Sequence, residues 1–227
     1  MKTATLAPAI PVAASPRFSG RLFSCLSAVL IALLFLSACS EDSKPAATDK
    51  PEVKGPELIT ARSAFQKLYV AARSWNPDAK PYRLESAVTT DGNGQDGRWA
   101  IWRASFASAA QHSAKPYTWS GSAADGSPSR GINPGTEDSY SPSNSSTQVF
   151  DMLFLKIDSD QAFATAQKHG GDKMIEKDPK TPVSYVCDWN HNTNELTWHV
   201  TYGSAHDASK LTVAVNASNG EFIRVEK

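Results

Sequence analysis

The chain has 227 residues, enough for one or two small domains, and its 41% apolar and 20% charged composition supports a buried core rather than a disordered polymer. Twenty-three basic side chains balance twenty-three acidic ones, so the strong positive field of a nucleic-acid-binding protein is absent. Three widely spaced cysteines, Cys25, Cys39 and Cys187, exclude a disulfide scaffold and a Cys-rich zinc module.

The N-terminus reads as an address. Residues 1–21 carry Lys2, Arg17 and Arg21 and no acid, and the apolar run from Leu22 to Ser37 follows. A positive stretch before an apolar one is the layout of an export signal, and the run is shorter than the roughly 20 residues a membrane span needs. The run ends in Leu36-Ser37-Ala38-Cys39, which resembles a bacterial lipobox. That resemblance implies cleavage after Ala38 and attachment of diacylglycerol to the thiol of Cys39, so that the protein meets the membrane through lipid. An ordinary signal peptide and a retained transmembrane anchor are the alternatives. Ser40 stands where an aspartate would resemble an inner-membrane retention signal, which points to the periplasmic face of the outer membrane in a Gram-negative host. Loss of residues 1–38 removes three bases and no acids, leaving a net charge near −3 and no electrostatic reason to bind nucleic acid or anionic lipid.

Residues 39–56 form a polar, Pro- and Lys-containing tether. A helix is expected next, with Thr60 as N-cap and Ala61, Ala64, Phe65, Leu68, Ala72 and Trp75 on one stripe, ended by Asn76-Pro77. Strands are expected over 82–89, 98–108 and about 115–120. Residues 127–148, rich in Gly, Ser, Pro and Asn, read as a long flexible loop, and Val149–Ile157 as a buried connection or strand. A second helix starts at Asp158 or Ser159, carries Ala162, Phe163 and Ala166, and stops at Gly170-Gly171. Strands over 183–189, 195–203, 211–216 and 222–225 complete the chain.

The fold class is therefore α+β, in two tandem units (57–126 and 149–227), each a helix packed on a small antiparallel sheet. Residue identity supports a repeat: Trp102-Arg-Ala-Ser-Phe-Ala-Ser108 lies over Trp198-His-Val-Thr-Tyr-Gly-Ser204, and Ala64-Phe65 over Ala162-Phe163. In the second unit, Ile157-Asp-Ser-Asp-Gln-Ala-Phe163, Thr197-Trp-His-Val-Thr-Tyr202 and the hairpin from Leu211 to Val225 resemble a PepSY domain, the module named from peptidase propeptides. The resemblance implies a helix on an antiparallel sheet with no catalytic residues; some members of that family bind or restrain peptidases, so an envelope protein or peptidase is the partner class it suggests.

The chemistry-bearing residues are sparse. No Gly-x-Ser-x-Gly, His-Glu-x-x-His, phosphate-loop or Cys-x-x-Cys motif occurs. His191, His199 and His206 lie around one strand without a metal-ligand spacing, and solvated histidines are expected there. Asp158 and Asp160 fit helix capping better than paired-carboxylate catalysis. In Val183–Trp189 the alternation puts Val183, Tyr185, Cys187 and Trp189 on the core face, so Cys187 is expected to be a buried, inert thiol. In the following strand Thr197, His199 and Thr201 should face water. Trp99 and Ile101 sit opposite the core face of the first unit. Either the chain's own second unit or loop covers them, or they form a partner's docking surface. No catalytic residue, metal or cofactor is assigned. The expected role is a lipid-anchored, non-catalytic interaction module of the cell envelope that restrains or regulates a peptidase; the alternative is a small-ligand- or peptidoglycan-binding lipoprotein.

Overall fold

The computed structural model describes residues 55–203 and 211–226. The order is β1 (Ile59–Thr60), α1 (Ala61–Trp75), β2 (Lys80–Ser86), β3 (Arg98–Trp99), β4 (Ile101–Ser108), β5 (Ser113–Ser120), β6 (Gly131–Pro134), β7 (Asp138–Ser139), α2 (Ser159–Ala166), α3 (Asp172–Lys177), β8 (Val183–Asn190), β9 (Glu195–Tyr202), β10 (Leu211–Asn216) and β11 (Phe222–Glu226). The expected α+β class is what forms: two short helical stretches on antiparallel strands.

Helix α1 buries the stripe its spacing dictates, Ala61, Ala64, Phe65, Leu68 and Ala72, and ends where Asn76 turns extended ahead of Pro77. Beneath the helices lies one large sheet rather than one for each expected unit, and β1 pairs antiparallel with β3 as a separate two-stranded ladder. The order of the large sheet is β11-β10-β9-β8-β2-β4-β5-β6, with β7 also on β5, and neighbouring strands are antiparallel. The strands of the two expected units join because β2 pairs with β8, Arg83 opposite Asp188, Leu84 opposite Cys187 and Glu85 opposite Val186. Outward from that seam the order is mirrored: β4 and β5 on one side, β9 and β10 on the other.

Alternation sorts the side chains between two faces. One face carries Leu84, Trp102, Phe106, Tyr185, Cys187, Trp198, Val200, Tyr202 and Val213, all fully buried against α1 and α2. Phe65 stacks on Phe106 at 5.9 Å, and Phe163 lies 6.3 Å from Tyr202. Each buried indole also needs an acceptor. Trp102 Nε1 donates to the Ile59 carbonyl at 2.9 Å, and Trp198 Nε1 to the Ile157 carbonyl at 3.0 Å. Gly121 N donates to Ala100 O at 2.7 Å, and Ala217 N to Leu196 O at 2.8 Å. Donors and acceptors in these pairs recur at an interval of about 96–98 residues.

Several expectations need correction. Gly170-Gly171 does break the second helix, but a further short helix, α3, follows at once where no continuation was expected. Gly170 takes φ +106°, open to glycine, and the backbone kinks through Gln167–Gly171 into α3. Gly171 lies against Tyr202, whose hydroxyl occupies the place of a Cβ. The segment expected as a flexible loop over 127–148 contributes β6 and β7, which satisfy the outer edge of β5. Val149–Ile157 is not a strand: Phe150 and Leu155 are buried, and a tight turn over Met152–Phe154, capped by Asp151, leaves Leu153 exposed. Thr197 does not face water but is fully buried, while His199 and Thr201 are half-buried.

Thr60 stands at the start of α1, but its hydroxyl binds Ser63 Oγ rather than the helix backbone. The amides of that first turn are satisfied from the other half of the chain. Ala61 N donates to Ser159 Oγ and Arg62 N to Asp158 Oδ1, both at 2.9 Å. Asp158 also closes a capping box on its own helix with Gln161, and Ser159 Oγ donates to Gly97 O at 2.6 Å. Two helix N-termini thus converge on one carboxylate, each directing positive partial charge at it.

Candidate functional site

The face of the sheet away from the helices carries the side chains that alternate with the core. Across its centre they form a ladder of charges. Arg83 on β2 donates through Nε to Glu85 at 2.7 Å and through Nη1 to Asp188 on β8 at 3.0 Å. Asp188 lies 3.3 Å from Nε2 of His199 on β9. Nδ1 of His199 lies 2.7 Å from Glu226 on β11, reached across the small Ala214 of β10, and Glu226 accepts from Arg224 at 2.6 Å.

Both ring nitrogens of His199 face carboxylates, which only accept hydrogen bonds when ionised, so the geometry favours the doubly protonated imidazolium. Burial pulls its pKa down, but hydrogen bonds and charge from Asp188 and Glu226 outweigh that and hold it above the usual histidine value. The groups are a fifth to nearly half exposed, so each pair contributes only about 0.2–1 kcal/mol to stability. What the ladder supplies is a surface of alternating charge, the kind of pattern that selects a partner rather than adding bulk affinity.

At the outer part of the same face, the segment after β6 folds back over β4 and β5. Tyr140 inserts against Ala107 and Ala114 to make a second small core, with Tyr82 and Val149 at its rim. Burial, and secondarily the neighbouring Tyr82, push the Tyr140 phenol above its ordinary pKa. A groove opens on either side of Tyr140. One, of about 400 Å³, is lined by Asp78, Lys80, Ala109, Pro142, Gln148 and Val149 among others. The second, of about 320 Å³, is walled by Tyr82, Arg103, Pro116, Ser139, Asn144 and Thr147 among others.

The residues singled out in the sequence fare differently. Cys39 lies outside the described residues, as does His206. Trp99 and Ile101 offer no docking surface. Trp99 is completely buried with its indole N–H on the Val183 carbonyl at 2.8 Å, and Ile101 is 7% exposed; the chain's own strands and turns cover them. Cys187 is a free thiol, fully buried on the helix-facing side, and burial drives its pKa well up. The sheet separates it from His199 and Asp188, so these three do not share a cleft. His191 lies exposed in the β8–β9 turn, and His169 stacks on Phe222 at 3.8 Å. Among the described residues no three His, Cys, Asp or Glu side chains are grouped to hold a metal ion. Asp158 is a cap shared by both helices, and Asp160 accepts from Gln161 N.

Sequence reasoning missed the ladder and the grooves. Arg83 and Glu85 are visible as same-face charges in a strand, but their link to Asp188 depends on the β2–β8 seam, which no local pattern announces.

No family model matches the chain, and no curated protein matches it. A solved structure with some likeness is the crystal structure of a protein described as a "putative lipoprotein" from Clostridium difficile 630: 10% identical, covering 72% of this chain and 91% of that chain, with a TM-score of 0.49. So slight a likeness transfers neither fold nor activity. Among the described residues no helix is long and apolar enough to cross a membrane.

Proposed function

We propose that the protein is a lipid-anchored component of the bacterial cell envelope that acts without chemistry, by presenting the helix-free face of its sheet to another envelope protein. The single observation that carries the interaction role is the charge ladder from Glu85 to Arg224: six ionisable side chains on four strands, part-exposed, with no described helix over them. The anchor rests on the apolar run ending in Leu36-Ser37-Ala38-Cys39, and the tether of 39–56 gives the body reach. The recurring indole and backbone hydrogen bonds support descent of the two halves from one helix-plus-sheet unit. The PepSY resemblance makes an envelope peptidase the first partner class to try.

Two measurements test this reading. Mass spectrometry of the purified protein should find the mature chain starting at an acylated Cys39, and Cys39→Ser should abolish membrane association; a membrane-bound C39S protein without acyl groups would sink the anchor. In cells, a photo-crosslinker at Val186, beside the ladder, should capture one dominant envelope protein, whereas one at Val70, on the outer face of α1, should not. Equal capture from both positions, or none from Val186, would overturn the interaction role.

A further inference from the structure

The smaller groove beside Tyr140 sets one arginine among mostly neutral polar side chains. The Arg103 guanidinium projects from β4 into it, is exposed, and makes no hydrogen bond or ion pair among the described residues. Its cross-strand neighbour Glu85 is engaged by Arg83 instead. The acid in the lining, Asp138, accepts from Ser139 N at 2.7 Å. Around the cation stand neutral polar groups, those of Thr136, Ser139, Ser141, Asn144 and Thr147, and the Tyr82 ring and Pro116 offer apolar contact. One free guanidinium is matched by one carboxylate, which it holds bidentately. Hydroxyl and amide groups exchange hydrogen bonds in both directions with a polyol, and Asp138 can accept from its hydroxyls. A phosphorylated or polyanionic ligand would call for more than one cation. At about 320 Å³ the groove falls within the range of small-molecule sites.

We propose that this groove binds a sugar acid, a saccharide unit bearing a carboxylate that Arg103 receives. The site goes beyond the interaction role and does not depend on the lipid anchor. Two envelope sources share that chemistry: the lactyl-bearing sugar of peptidoglycan and the uronic acids of acidic polysaccharides.

The test is titration calorimetry of the full-length protein in detergent with N-acetylmuramic acid and D-glucuronic acid, against N-acetylglucosamine and glucose as uncharged counterparts. At least one acid should bind saturably, and about tenfold or more tighter than its neutral counterpart. Arg103→Gln, a change at an exposed side chain, should remove that preference without altering the unfolding midpoint, while Lys67→Gln on the outer face of α1 should leave binding unchanged. A preference for muramic acid assigns the site to peptidoglycan and a preference for glucuronic acid to acidic polysaccharide; either supports the proposal. No saturable heat with either acid, equal binding of the neutral sugars, or undiminished binding by R103Q would overturn it.

Discussion

Replacing Ser159 by alanine tests whether the two halves are held at the helix N-termini. The side chain is completely buried, and its hydroxyl does two jobs: it accepts from Ala61 N at 2.9 Å and donates to Gly97 O at 2.6 Å. Alanine leaves both partners buried without it. Each abandoned backbone group costs about 1–3 kcal/mol, and loss of a single oxygen opens little cavity, so Ser159→Ala should destabilise by about 2–4 kcal/mol. That is a large share of the roughly 5–15 kcal/mol that holds a domain folded. The contrast is Thr60→Ala. By position Thr60 is the cap of α1, yet its hydroxyl bonds only to Ser63 Oγ, so its loss should cost less than about 1 kcal/mol. Denaturant unfolding of both full-length variants, followed by tryptophan fluorescence, gives the two values directly. A Ser159→Ala cost under about 1 kcal/mol, or a larger cost for Thr60→Ala, would refute capping from across the fold.

Three further outcomes follow from the geometry. His199 has its folded pKa raised above the unfolded value near 6.5, so its pairing with Asp188 and Glu226 contributes fully below about pH 6.5 and is lost as pH rises through the folded value. Wild type should therefore lose stability relative to His199→Gln as pH rises from 6 to 9, and parallel pH profiles would contradict this. Gly171→Ala places a Cβ on the Tyr202 hydroxyl in an otherwise ordinary helical conformation, and should cost about 1–3 kcal/mol through forced repacking; an unchanged denaturation midpoint would show that Tyr202 yields freely. Cys187, buried with its thiol pKa pushed up, should react with a thiol reagent only at the rate of unfolding, whereas prompt reaction in native buffer would place it nearer the surface.

Periodicity made the local elements legible. The stripe of α1 and the alternation Trp198, Val200, Tyr202 are physical consequences of one-sided burial, and they appear in the structure with only Trp75, at the end of the stripe, left half-buried. What local pattern does not encode is where an edge finds its partner. Trp99 reads as a stray aromatic on the wrong face, because the carbonyl that receives its indole belongs to Val183, a long way along the chain. Gly170-Gly171 reads as a helix stop, and Gly170 does break α2; that α3 follows and that Tyr202 packs against the second glycine are invisible from the local sequence. Of the candidate site, Arg103 was present as a polar residue between buried ones, but the groove it faces is made by Tyr140 folding back from a segment whose composition suggests only loop. The seam likewise turns scattered charges into a ladder.

That seam also has a consequence for the order of assembly. The hairpins β4–β5 and β8–β9 each align eight residue pairs between neighbours in the chain, whereas β2 and β8 align three across about a hundred residues. Loop closure makes the distant pairing the late event. Until β8 arrives, the inner edge of β2 stands open, and an open edge templates aggregation. Lys80, Pro81, Arg83 and Glu85 occupy that strand: a proline without a donor, and charges that a stacked copy would set against themselves. The side chains that begin the ladder in the finished sheet are, during folding, the guard on its last unclosed edge.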